Sequence, residues 1–238
     1  MTLEAFLRRR IKAGRSRNAS SVRIFDWLRL TGTADGWSRI WTMLVHARSV
    51  HQTTTFTSAN RYPEIFDLAA VLQPRAVQIL SFGCSTGEEL MALRERFADA
   101  EIIGVELNPR CRAIARRRVS ADCRIRVIAP NALSGTFDII CAMAVFQREP
   151  HKIDEMKVED LAGFYSFGRF EDALGVLVAS LRPGGIFCID NAQYRVEDSI
   201  FADVLSPLPE SPAMGGRLFG PDGRKLEDAP SKTIFRKR

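Results

Sequence analysis

Gly83 and Gly87 bracket Cys84, Ser85 and Thr86 in the stretch ILSFGCSTGEEL, just after an apolar run and just before a helical pattern. Glycine lets the backbone turn sharply and brings main-chain amides against a ligand with no Cβ between them. Ser85 and Glu88 have the S-x-x-E spacing of a capping box, which would fix the start of the helix. Nineteen residues past Gly87 stands Glu106, at the end of the run EIIGVEL. An acid at that distance, on the tip of a neighbouring strand, accepts hydrogen bonds from both hydroxyls of a ribose. Turn and acid together read as a site for an adenosine-containing ligand.

Three details favour S-adenosylmethionine over a dinucleotide. The glycines are spaced G-x-x-x-G, without the G-x-G-x-x-G that seats a pyrophosphate on a helix N-terminus. Glu88 and Glu89 follow at once, and two carboxylates would repel a diphosphate. No Walker lysine follows the second glycine, which argues against a nucleoside triphosphate.

The elements that must position these residues follow from the rhythm of apolar positions. AVQILSF, EIIGVEL, CRIRVIA, FDIICAMAV and GIFCID are short apolar runs of the kind that form buried parallel strands. Between them lie helical patterns: TGEELMALRERF, then PRCRAIARRRV with Asn108 as N-cap and Pro109 in the first turn, then FEDALGVLVASL stopped by RPGG. A further amphipathic helix, EIFDLAAVL, precedes the first strand. Strands alternating with helices imply an α/β, doubly wound, mostly parallel sheet, expected to hold seven strands. SKTIFRKR is expected as a closing edge strand, and LFGPDGRKL, with its Pro-Asp-Gly turn signal, as a hairpin-like element before it. Residues 1–60 read as a helical N-terminal segment and residues 61–238 as the S-adenosylmethionine-binding domain.

Composition bounds the rest. With 46% apolar and 26% charged residues, the chain of 238 can bury a sizeable core. No apolar run nears the roughly 20 residues a membrane span needs. Five widely spaced cysteines without a C-x-x-C pair, three of them (Cys123, Cys141, Cys188) at apparent strands, read as reduced core residues of a cytoplasmic protein. The net charge of +6 gathers early: Arg8, Arg9, Arg10, Lys12, Arg15, Arg17 and Arg23 face Glu4 alone. That arm reads first as a solvated basic helix face, so nucleic acid is not the expected partner; contact with an anionic membrane or an acidic protein, and an organelle transit segment, are the other readings. His46 and His51 are five apart, off one helical face, and no metal site is expected.

ILSFGCSTGEEL resembles motif I of class I S-adenosylmethionine-dependent methyltransferases, and GCSTGEE is similar to the chemotaxis-receptor (CheR-type) methyltransferases. GTFDIICAMAVF is similar to their fourth-strand motif and LRPGGIFCIDN to the fifth, so the resemblance runs from about Thr53 to Tyr194. It implies that Gly83, Cys84, Ser85, Thr86 and Gly87 line the methionine moiety and ribose. Glu106 would hold the ribose hydroxyls, Leu107 would pack on the adenine, and Asn131 and Ala132 would border its edge. The same comparison shows departures. Thr54-Thr55-Phe56-Thr57-Ser58 lacks the Phe-Arg of the family's T-x-F-F-R, though Arg61 follows shortly, and Ala142-Met143-Ala144-Val145 stands where the family has C-R-N-V. Apolar residues there tilt the acceptor away from glutamate, with a small molecule, a saccharide or a protein carboxylate all left open.

Methyl transfer asks for alignment and a water-poor pocket. A carboxylate acceptor needs no base, whereas a hydroxyl or protonated amine does. Candidate catalytic residues are Arg61 and Tyr62 before the first strand and His151 after the fourth, with Gln147 and Tyr165 nearby. HKIDEMKVEDLAGFYSF is long enough to cover the acceptor pocket, its aromatics either shaping that pocket or packing on the sheet. The expected function is therefore methyl transfer from S-adenosylmethionine to an undetermined acceptor. Its rivals are a non-catalytic cofactor-binding scaffold, a nicotinamide oxidoreductase, and nucleic-acid modification through the basic arm.

Overall fold

The computed structural model describes residues 60–227 and 230–238. The expected helical N-terminal segment, its basic arm, His46 and His51 lie outside the described residues. From Pro63 the chain runs α1 (Pro63–Leu72), β1 (Gln78–Phe82), α2 (Glu88–Arg96), β2 (Glu101–Val105), α3 (Pro109–Arg118) and β3 (Ile125–Ile128). It continues through β4 (Phe137–Met143), α4 (Pro150–Glu155), α5 (Phe167–Ser180), β5 (Leu181–Asp190), β6 (Leu205–Pro207) and β7 (Ile234–Lys237). The seven strands form one sheet in the order β3-β2-β1-β4-β5-β7-β6. The first five are parallel, and β7 runs antiparallel to both β5 and β6. The doubly wound expectation holds. The closing strand is different: β7 is inserted between β5 and β6, and three-residue β6 forms the edge.

Strand residues alternate between two apolar layers, as the two-residue side-chain period requires. Ile79, Ile139, Cys141, Met143 and Cys188 face the layer completed by Ile65 and Phe66 of α1, Leu90 and Leu93 of α2, and Ala115 of α3. Leu80, Ile140, Ala142, Phe187 and Ile189 face the other, where Phe170, Leu174 and Leu177 of α5 meet Tyr165 and Tyr194. Ser81, Cys141 and Cys188 are register neighbours across β1, β4 and β5. Of the cysteines expected in the core, Cys141 and Cys188 are buried and free, whereas Cys123 is exposed because it precedes β3 in a turn.

Helix boundaries follow local chemistry with one exception. Asn108 caps α3, its side chain accepting from the amides of Arg110 (2.9 Å) and Cys111 (3.2 Å). The expected capping box on α2 does not form. Gly87 is the N-cap, with φ of 93°, and Glu88 instead accepts from the Thr86 hydroxyl. LFGPDGRKL does form the expected hairpin-like element: Gly220 donates to Arg224 (2.7 Å) and Leu226 to Leu218 (2.8 Å). No helix among the described residues is long and apolar enough to cross a membrane.

Candidate active site

The C-terminal ends of β1, β2, β4 and β5 meet at one side of the sheet, the edge where an open α/β sheet binds its ligand. Backbone strain collects there. Ser85 (φ 49°), Ala144 (φ 55°) and Asn191 (φ 50°) all lie in the left-handed region, just past β1, β4 and β5 respectively. A non-glycine residue in that region costs about 1–3 kcal/mol, and such residues cluster where ligands are held.

The glycine turn is built differently from the amide cradle its composition suggests. The amides of Gly83 and Cys84 both donate to the Val105 carbonyl (2.8 and 3.1 Å), and that of Gly87 donates to Cys84 (3.0 Å). The Ser85 amide donates to Glu106 (2.9 Å). With these donors turned inward, the turn offers little to a diphosphate. Its glycines serve packing: a Cβ on Gly83, at φ 84°, would lie 2.5 Å from Cγ2 of Val145, and one on Gly87 would press on Ala115 at 3.2 Å.

Glu106 stands one residue past β2. It accepts from the amides of Ser85 and of Asn108 (2.6 Å), so one carboxylate locks the turn to the start of α3. A carboxylate has about four acceptor positions, so these amides, with that of Leu107, leave capacity for a ligand. Burial raises its pKa, while the bonds from Asn108 and Ser85 oppose that rise. Leu107 is partly buried beside it, and the backbone carbonyls of both residues accept from Arg112. Asn131 and Ala132 are exposed on a short 3-10 turn after β3. Glu106 and Leu107 thus lie just past β2, and Asn131 and Ala132 just past the neighbouring β3.

The two acids after Gly87 take separate roles. Glu88 turns towards α3, where Arg118 pairs with it and also donates to the Thr86 carbonyl. Glu89 turns under the strand ends, accepts from the Ser81 hydroxyl (2.7 Å), and is hemmed in by protein. Burial pushes its pKa from 4.5 up to about 8, against the pull of Ser81 and Arg61. Sequence reasoning used Glu89 only as a charge hostile to phosphate. The alternation that puts Ser81 on the same face as α2 was the signal it left unread.

Of the three candidate catalytic residues, Arg61 and His151 line one cavity, and Tyr62 lies beside Arg61. Arg61 and Tyr62 immediately precede α1, and the Arg61 guanidinium lies 5.2 Å over the Tyr62 ring. The Tyr62 hydroxyl accepts from Asn191 Nδ2 (3.4 Å), which also donates to Asp190 (2.8 Å). Burial raises the Tyr62 phenol to about 12, so it stays protonated at neutral pH. His151 sits on α4. It lines a cavity of about 170 Å³ with Arg61, Gln147, Asn191, Gln193 and Arg217. Asn191, Gln193 and Arg217 were absent from the sequence reading, since nothing local marks residues 130 or more positions from Arg61 as its neighbours. Tyr165, Phe164 and Phe167 do not line this cavity: Tyr165 is buried against Tyr194, Phe167 packs on the core and Phe164 is partly exposed. No cluster of three or more potential metal ligands occurs among the described residues.

Strand order, an acid at the second strand tip and an inward-facing turn make a doubly wound α/β domain with a candidate ligand site at its strand ends. Residues 79–159, about a third of the chain, match the family described as "Methyltransferase domain". The chain is 31% identical over 125 residues to a demethylmenaquinone methyltransferase of Thermus thermophilus, covering 50% of this chain and 48% of that protein. It is 27% identical over 137 residues to a trans-aconitate 2-methyltransferase of Deinococcus radiodurans, covering 55% and 46%. The chain thus spans about half the length of the curated relatives it matches. Among solved structures, TehB from Haemophilus influenzae shares the fold, with a TM-score of 0.50 at 13% identity over 76% of this chain and 64% of that one.

Proposed function

We propose that this protein is an S-adenosylmethionine-dependent methyltransferase acting on a small-molecule acceptor. The observation that carries the reading is the Glu106 carboxylate, fixed at the tip of β2 by the Ser85 and Asn108 amides with acceptor positions to spare. Bound there, S-adenosylmethionine supplies an electrophilic methyl group on a sulfonium. Glu106 holds the ribose hydroxyls, and Leu107 with Asn131 and Ala132 flanks the adenine. Gly83, Cys84, Ser85, Thr86 and Gly87 border the ribose and methionine moiety. Glu89, beneath the strand ends, is the acid an adjacent cation would draw into its ionised form. Tyr62 and Asn191 close the floor between this crevice and the cavity that holds the acceptor, with Arg61 and His151 on its wall. Residues 61–238 form the catalytic domain.

The string GCSTGEE supports kinship with the chemotaxis-receptor enzymes at motif I. The relatives matched over a longer span are named for other acceptors, which favours a small molecule over a receptor glutamate. The buried thiols of Cys84, Cys141 and Cys188, which form no disulfide, suit work in the reducing cytoplasm. Calorimetry with S-adenosylhomocysteine tests the cofactor site. Gly83→Arg and Glu106→Ala should each abolish measurable binding or weaken it at least tenfold; unchanged affinity in both rules the assignment out.

A further inference from the structure

The cavity beside the strand ends has walls from four distant parts of the chain, and its charges are unbalanced. Arg61 and Arg217 both line it with His151, against the single acid Asp154. Arg217 is held in place by Asp154, 3.1 Å from its Nε, and reaches the Val158 carbonyl at 3.5 Å through Nη1. Among the described residues no partner is seen for its Nη2. Arg61 stacks on Tyr62 and has no carboxylate within ion-pair distance among the described residues. Asp190, the next acid, accepts from the Gly215 amide and from Asn191. The amides of Gln147, Asn191 and Gln193 add polar walls. Two guanidiniums facing one cavity suit a carboxylate, whose geometry their forked donors match. A cavity of about 170 Å³ has room for a small organic acid.

We propose, resting on the methyltransferase reading above, that the acceptor is a small carboxylic acid seated between Arg61 and Arg217 and methylated on a carboxylate oxygen. That oxygen donates a lone pair to the sulfonium methyl carbon. The carbon–sulfur bond breaks with its electron pair on sulfur, leaving a methyl ester and a neutral thioether, and no proton moves. The step needs no general base, in keeping with a Tyr62 phenol that stays protonated and a Glu89 turned towards Ser81. Met143 and Ala144, whose apolar character argued against a protein glutamate, do not line the cavity; the positive charge comes from residues far from them in sequence.

The test is titration calorimetry of succinate, tricarballylate and benzoate, with methyl glucoside as the neutral control, into protein saturated with S-adenosylhomocysteine. At least one acid should bind, and Arg217→Met should weaken it tenfold or more while leaving the affinity for S-adenosylhomocysteine unchanged. Asp154→Asn, which releases Arg217 Nε, should tighten it a few-fold. Methyl label transferred to that acid should be released as methanol in mild alkali. Binding of methyl glucoside alone, acid binding indifferent to Arg217→Met, or alkali-stable label overturns the acceptor assignment and leaves the cofactor reading standing. Failure of S-adenosylhomocysteine itself to bind overturns both.

Discussion

Glu89 sits where a charge is hard to keep, since water cannot reach most of its surface and its partners are a serine hydroxyl and the nearby charge of Arg61. Between pH 4.5 and about 8 the folded protein holds a proton here that the unfolded chain has released. This group's contribution to stability is therefore full below about pH 4.5 and is lost as the pH rises through about 8. The ligand-free protein should show a melting temperature that falls by a few degrees more between pH 6 and 9 than that of Glu89→Gln, which cannot ionise. Parallel melting curves for the two proteins would remove this account of Glu89. Little of this was legible beforehand. GCSTGEE announces two adjacent acids, but only the packed helix turns Glu88 towards Arg118 and Glu89 towards Ser81.

At the scale of elements, the junction of β1 with α2 holds together by close approach. Gly83 needs both its left-handed φ and its missing Cβ, because Val145 from beyond β4 lies where that Cβ would be. Gly83→Ala should destabilise the fold by roughly 2–4 kcal/mol in urea denaturation, the sum of backbone strain and overpacking. Adding Val145→Ala should recover about half, since it relieves the contact and leaves the dihedral penalty. No recovery would mean the contact contributes nothing. The helices and parallel strands were readable from apolar spacing, and so was the Asn108 cap, because these signals are local. The α2 cap was misread for the same reason: S-x-x-E describes one arrangement of four residues, and Ser85 is drawn instead into a left-handed turn by the bond from its amide to Glu106, 21 positions away.

Across the whole molecule, the end of the chain completes the sheet that carries the site. β7 lies between β5 and β6, and Ile234 and Phe235 are fully buried on opposite faces. Phe235→Ala should cost about 3–5 kcal/mol in the same denaturation assay, as for a fully buried aromatic; a loss under 1 kcal/mol would mark the closing strand as peripheral. The sequence by itself determined the sheet class, the glycine turn and the acid at the second strand tip, because each is written in the spacing of neighbouring residues. Folding alone decided that the turn's amides face inward, that one of two acids is buried, and that Arg61, His151, Asn191 and Arg217 share one cavity. Those outcomes depend on which distant segments come to lie together, and long-range proximity leaves no periodic mark along a single chain.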